Sequence, residues 1–321
     1  MRRGFLYNNK GFPNSIKRTM TSIIVPIRNA PEQAAALLAK LKTQTVSDEI
    51  IIVDSSSGEG IQGSGGVRVL RIAEGEFDHG GTRSLAAGAA KGDIVVFFSQ
   101  DALPADDLSV ENLMKPFADA SVAAAYGRQL PKPGASVFGA HLRLFNYPAT
   151  SGVRSMADKA RLGIKTPFLS NSFAAYRKEA LGRVGGFRRR LIMGEDVCAG
   201  ARLLMAGYKI AYVSDAEVYH SHDYTPCEEF RRYFDIGVFH SSERWLLETF
   251  GRPEGEGMQF IKSGVRYLAA EGKPWLVPQF LMRACLKYAG YALGRSYQRL
   301  PAAFVRSCSM HRSWWDAKGK P

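Results

Sequence analysis

Two pairs of residues late in the chain have types and spacings that could do chemistry. The carboxylates Glu195 and Asp196 are adjacent, and the imidazoles His220 and His222 are two positions apart. A carboxylate can take a proton from an attacking hydroxyl. A histidine can hold a divalent cation or carry a proton. The apolar positions Val197, Ala201 and Leu204 follow the acid pair at spacings of four and three, so the spacing predicts a helix with the acids at its start. Gly207 then ends that helix, Ile210 and Tyr212 begin a first strand, and Val218 belongs to a second strand that delivers the histidines. Acids at a helix start and imidazoles at a strand end can converge on one pocket.

Upstream elements must supply the rest of such a pocket. Ser22 to Ile27, Ile50 to Val53, Val67 to Ile72 and Asp93 to Ser99 read as buried strands, with helices predicted from Pro31 to Leu41 and from Arg83 to Lys91. Strands and helices alternating in this way predict an open, mostly parallel sheet, whose ligand crevice lies beyond the carboxyl ends of its strands. Arg28 and Asn29 follow the first strand, Asp54 to Ser57 the second, and Gln100 and Asp101 the fourth. All are therefore expected along one edge, which is the geometry of a nucleotide site. No G-x-G-x-x-G pattern and no G-x-x-x-x-G-K-[ST] loop is present, so a dinucleotide fold and a P-loop are not indicated.

Composition sets the outer bounds. A chain of 321 residues with 45% hydrophobic content can bury a substantial core, and a formal charge of +13 favours polyanionic partners without choosing among them. Cys198, Cys227, Cys285 and Cys308 lie far apart with no Cys-x-x-Cys, which argues for reduced thiols over a disulfide framework or a zinc finger. Residues 1–20 are basic without the apolar centre of a signal peptide and read as a solvated tail. Trp275 to Gly294 is interrupted by Pro278, Arg283 and Lys287, so it suits lying on a membrane better than crossing one.

The segments SIIVPIRNA, IIIVDSSSGEG, FDHGGTRS, VVFFSQDA and GEDVCAGARLLMAGYKIAYV, in this order, resemble glycosyltransferase family 2 of the GT-A fold, and most of all its bacterial rhamnosyltransferase branch. The resemblance spans residues 21 to 222 and fades beyond Tyr224. It implies a GT-A-type α/β fold, an open mixed and mainly parallel sheet flanked by helices, over residues 21–224, with a helical extension over 225–321. It also implies a transferase that uses a nucleoside-diphosphate sugar, with L-rhamnose the first expectation, and a glycan or lipid-linked glycan acceptor. Pro26, Arg28, Asn29, Asp54, Ser56, His79, Gly80, Gly81, Thr82, Arg83, Gln100 and Asp101 are thereby assigned to the donor. Asp54 would accept from the base or ribose, although Ser55 stands where the family usually has a second Asp. Gly80 and Gly81 would let the backbone approach an anion, Thr82 would cap the helix, and Arg83 would meet the diphosphate.

Ser99, Gln100 and Asp101 occupy the place of the family's Asp-x-Asp, with the first Asp replaced. Asp101 then holds Mg²⁺ or Mn²⁺ with His220 or His222, imidazole favouring Mn²⁺. Asp196 matches the catalytic base of an inverting displacement, kept ionised by its helix start. Glu195 would orient it or bind an acceptor hydroxyl. Ser170, Asn171 and Arg189 are the expected acceptor contacts, Arg189 lying within Arg188 to Arg190, where relatives often carry acids.

Pro226 to Phe250, Glu256 to Ala270 and Trp275 to Tyr297 read as helices. Arg283, Lys287, Arg295, Arg299, Arg306 and Arg312, interspersed with Phe280, Leu286, Tyr291, Phe304, Trp314 and Trp315, suit an anionic membrane surface. The expected place is cytoplasmic, peripheral on the cytoplasmic face of the inner membrane. The rival from another class is a non-catalytic nucleotide-sugar or glycan-binding protein of the same fold. Nucleic acid is not an expected partner, because no recognition module is visible.

Overall fold

The structure, a computed structural model, describes residues 19–58, 60–63, 65–251 and 255–318; most of the predicted N-terminal tail lies outside them. The order of elements is β1 (Thr21–Ile27), α1 (Pro31–Lys42), β2 (Glu49–Asp54), β3 (Val67–Arg71), α2 (His79–Ala89), β4 (Ile94–Phe98), β5 (Leu103–Pro104) and α3 (Ser109–Met114). There follow β6 (Val122–Leu130), α4 (Val137–Asn146), β7 (Gly152–Arg154), α5 (Lys159–Leu162), β8 (Phe173–Arg177), α6 (Lys178–Arg183), α7 (Glu195–Met205) and β9 (Lys209–Tyr219). The C-terminal helices are α8 (Pro226–Ser242), α9 (Arg244–Phe250), α10 (Glu256–Ala270), α11 (Val277–Arg295), α12 (Ala302–Cys308) and α13 (Arg312–Lys318).

The strands form one mixed, mainly parallel sheet in the order β3-β2-β1-β4-β8-β6-β9-β5, with β7 on β9. β1 pairs in parallel with β2 and β4, and β8 enters antiparallel between β4 and β6. β1, β2 and β4 are continuous apolar runs because both faces of the sheet are covered. Ile24, Ile51, Val95 and Phe97 pack on one face, and Ile23, Ile52, Val96 and Phe98 on the other.

Two local departures from the sequence expectation shape the site. The two strands expected between 209 and 219 are one strand, β9. Its pairing with β6 jumps from Gly127↔Val213 to Arg128↔Glu217, so Ser214 to Ala216 bulge out. Beyond the bulge β9 continues to Tyr219, and His220 N–H donates to the Leu130 carbonyl at 3.0 Å. The helix expected over 226–250 breaks at Glu243, whose buried carboxylate accepts from Arg188 at 2.6 Å and from Trp245 Nε1 at 2.7 Å.

The membrane-facing role expected of Arg283, Lys287 and Phe280 is corrected. Gly290 and Gly294 let α11 lie directly on the α8 backbone at Phe230 and Phe234. Arg283 and Lys287, two turns and one turn earlier on the same stripe, are thus carried inward to Glu229, at 3.2 Å and 3.3 Å. Both are buried, and Phe280 is buried against Gly264 of α10.

Candidate active site

Asp101, His220 and His222 meet beyond the carboxyl edge of the sheet, each offering one donor atom within 4.8 Å of the others. Asp101 leaves the turn after β4, and the histidines leave β9. His220 Nε2 is 3.4 Å from Asp101 Oδ1, and His222 Nε2 is 3.8 Å from Oδ2. Gln129, fully buried on β6, defines how His220 is presented. Its Oε1 accepts from Arg143 at 2.6 Å and lies 2.8 Å from His220 Nδ1. An amide oxygen can only accept, so this arrangement puts the neutral imidazole's proton on Nδ1 and aims the Nε2 lone pair at a carboxylate. Two lone pairs facing each other call for a cation between them.

The protonation states agree with that. Burial holds both imidazoles below their ordinary pKa, His222 at about 4, and burial outweighs the pull of Asp101. Burial alone would raise the Asp101 carboxyl. The surrounding His220, His222 and Lys132 side chains instead hold it well below the usual range. Neutral imidazoles with an ionised carboxylate are the forms that bind a divalent metal. One carboxylate and two imidazoles are a donor set that suits a divalent cation such as Mn²⁺ or Mg²⁺.

The acid pair lies deeper. Gly194 in the left-handed region (φ 80°) turns the chain into α7, as the Phe239 ring leaves no room for a Cβ there. Glu195 is buried and pairs with Arg83 NH1 at 2.8 Å, while Asn171 Nδ2 donates to the same oxygen at 3.2 Å. Asp196 accepts from Asn171 N–H at 3.1 Å and from Val197 N–H at 2.8 Å. The expectation that its helix start keeps Asp196 fully ionised is corrected. Burial, and then the adjacent Glu195 charge, push its carboxyl up to about 7, because they outweigh the two N–H donors.

Four other assignments change with this geometry. Arg83 is buried on Glu195, not presented to a diphosphate; its remaining bonds run to His79. Thr82 does not cap α2: Asp78 does, accepting from Gly81 N–H at 2.6 Å, and the Thr82 hydroxyl is buried in the first turn. The close approach that Gly80 permits is made by the Arg188 carbonyl, while Arg190 N–H donates to Asp78 at 2.9 Å. The helix start is therefore closed by protein. Asn171 and Glu195 are buried and hold one another, with Tyr176 OH donating to Asn171 Oδ1 at 2.7 Å, so neither is open to an acceptor hydroxyl.

The residues beyond the carboxyl ends of β1, β2 and β4 lie side by side along one edge of the sheet. Arg28 N–H donates to Gln100 Oε1, and Asn29, at φ 48°, receives Ser57 N–H on its Oδ1 and donates its own N–H to Ser56 Oγ. Asp54 receives Ser56 and Ile61 N–H groups, an Asx turn that leaves lone pairs on both oxygens, and these bonds with Arg71 hold its pKa low against the opposing effect of burial. Pro26 lies beside them near the end of β1. Ser170 accepts from Gln129 Nε2 at 2.8 Å, and Arg189 is exposed over Gly81. Sequence reasoning missed Gln129, Arg143 and Lys132, the last 3.7 Å from Asp101. The signal for Gln129 was a polar residue near the end of the apolar strand VAAAYGRQL.

The Arg83–Glu195 pair has a measurable consequence. Arg83→Met is expected to cost about 3–5 kcal/mol, because it strands a buried carboxylate beside Asp196. Arg83→Met/Glu195→Gln is expected to recover much of that loss in urea unfolding. A single variant as stable as the wild type would remove the pair from the account.

The family model of glycosyl transferase family 2 matches residues 22–185. The O-antigen chain rhamnosyltransferase RfbN of Salmonella typhimurium is 41% identical over 301 residues, covering 92% of this chain and 96% of its own. The O-antigen chain rhamnosyltransferase WbaN of Salmonella anatum is 43% identical over 272 residues, covering 84% and 86%. Among solved structures, the mannosyltransferase PcManGT of Pyrobaculum calidifontis, in complex with GDP-Man and Mn²⁺, superposes with a TM-score of 0.56 at 19% identity, covering 95% and 90%. Residues 1–349 of S. aureus TarS superpose at 0.51 and 16% identity, covering 88% and 92%. At these identities the solved structures speak for the GT-A fold alone.

Proposed function

Because the chain belongs to glycosyl transferase family 2, we propose that it moves L-rhamnose from a nucleoside diphosphate to a glycan acceptor, with inversion at the anomeric carbon. The observation that carries this reading is one hydrogen-bonded path. It runs from His220, which faces Asp101, through Gln129 to Ser170, whose neighbour Asn171 holds Asp196. A cation site and a carboxylate with a pKa near neutrality thereby flank the same short segment. The curated relatives, both rhamnosyltransferases, support the sugar.

In the reaction the acceptor hydroxyl attacks the anomeric carbon from the face opposite the diphosphate. Asp196 takes the hydroxyl proton as the new C–O bond forms, and the old C–O bond breaks with its electron pair leaving on the diphosphate. Asp101, His220 and His222 would hold a divalent cation, which would supply Lewis-acid stabilisation of that leaving charge. Lys132, beside Asp101 and partly exposed, adds a mobile positive charge in the role first assigned to Arg83. Arg83 instead keeps Glu195 ionised next to Asp196, which raises the basicity of Asp196. Asp54, Asn29, Ser56 and Gln100 hold the nucleoside at the strand ends, and Arg189 contacts the acceptor. A lipid-linked acceptor would bring the protein to the cytoplasmic face of the inner membrane.

The test is a thermal-shift and turnover screen of nucleoside diphosphates and their sugars with Mg²⁺ and Mn²⁺. A rhamnose donor is expected to raise the midpoint most and to be consumed when acceptor is added. A larger shift and faster turnover with a different sugar would replace rhamnose.

A further inference from the structure

The outward side of α11 is an uncharged stripe that no described residue covers. The helix rests on α8 through Arg283, Lys287, Gly290 and Gly294. Positions half a turn away therefore face out: Leu281, Met282, Cys285 and Tyr288, with Trp275 just before the helix. Met282 is 46%, Trp275 70% and Tyr288 76% exposed. From Trp275 to Tyr288 the stripe runs about 20 Å, at 1.5 Å per helical residue.

The charge around the stripe is predominantly positive. Lys262 and Arg266 are on the exposed side of α10, which packs on α11 where Phe260 and Gly264 meet Phe280. Lys273 stands in the turn before Trp275, and Arg299 is exposed beyond the end of α11. Between residues 257 and 300 Glu271 is the one acidic side chain. No helix among the described residues is long and apolar enough to cross a membrane.

We propose that this stripe lies in the interface of an anionic lipid bilayer, with α11 parallel to the surface. Leu281, Met282 and Tyr288 enter the acyl boundary, Trp275 sits at headgroup level, and Lys262, Arg266, Lys273 and Arg299 meet lipid phosphates. A second copy of the chain fits less well. A two-fold contact would bring two cationic rims together with almost no carboxylate to receive them. The inference deepens the membrane location given above and rests on it, but not on the identity of donor or acceptor.

The experiment is flotation of the full chain with vesicles of phosphatidylcholine, with and without phosphatidylglycerol. The wild type is expected to float with the anionic vesicles, less so at high salt. Met282→Glu/Tyr288→Glu is expected to bind them about tenfold more weakly or worse, while Leu108→Glu, at an exposed apolar residue elsewhere, binds as the wild type does. An unchanged thermal midpoint and an unchanged nucleotide-sugar shift would show that the double variant is folded. Equal flotation of the double variant would overturn the stripe while leaving a membrane location standing. A wild type that floats with neither vesicle would overturn both. Sedimentation showing a wild-type dimer that the double variant splits, without vesicle binding, would give the face to a second copy.

Discussion

Asp196→Asn is expected to lower sugar transfer by about 10²–10⁴-fold and to flatten the protein's stability against pH. Both effects come from one carboxyl whose pKa is pushed up to about 7 by burial and by the neighbouring Glu195 charge. A base in that range is about half ionised at neutral pH and accepts a proton far more readily than an ordinary aspartate. Wild-type kcat/KM should therefore rise with pH through about 7 as Asp196 ionises, and that limb should vanish in the variant. The stability sign follows from the direction of the shift. The folded-state pKa lies above the unfolded value of about 3.9, so the bound proton favours the native state at acid pH. That contribution is complete below the unfolded pKa and is lost as pH rises through the folded one. Asn cannot ionise and escapes the loss, although it gives up one acceptor for the Asn171 and Val197 N–H groups. The thermal midpoint of the variant minus that of the wild type should thus become more positive from pH 5 to pH 8. Undiminished turnover would sink the base assignment, and parallel pH curves would sink the raised pKa.

What the sequence disclosed divides along a physical line. Continuous apolar runs define β1, β2 and β4, and residues just past such runs must lie along one edge of the sheet, so Arg28, Asn29, Asp54, Gln100 and Asp101 could be placed without coordinates. Adjacency in sequence likewise made the acid pair and the His-x-His visible. Partner choice could not be read this way. Arg83 has the chemistry to bind phosphate, yet Glu195 reaches it from a distant helix and claims it. The glycines of HGGTR allow close approach by anything, and the Arg188 carbonyl takes the space. In α11 the mixture of basic and aromatic residues was visible, but which side faced inward depended on Gly290 and Gly294 meeting α8. The fold's partner surfaces decided what the pattern alone left open.

Metal removal should have the other large effect. EDTA is expected to lower donor turnover by about 10³-fold or more, because the leaving diphosphate loses a Lewis acid worth several kcal/mol. Added Mn²⁺ or Mg²⁺ should restore the wild type but not Asp101→Ala, which lacks the one carboxylate of the cluster. Gln129 sharpens the test because it acts on the donor His220 without belonging to the cluster itself. Its oxygen receives Arg143 and His220 Nδ1, which fixes the imidazole with Nε2 toward Asp101. Gln129→Leu removes that fixation and is expected to weaken the apparent Mn²⁺ affinity by about 10–100-fold, with kcat recovering at saturating metal. His220→Ala deletes the donor itself, so its kcat should stay low at any metal concentration. If His220 were only a packing residue, the two variants would share a structural defect that metal could not relieve. If turnover were indifferent to EDTA, the lone pairs of His220 and Asp101 would need a proton between them, and Lys132 would remain as the nearest positive charge for the leaving diphosphate.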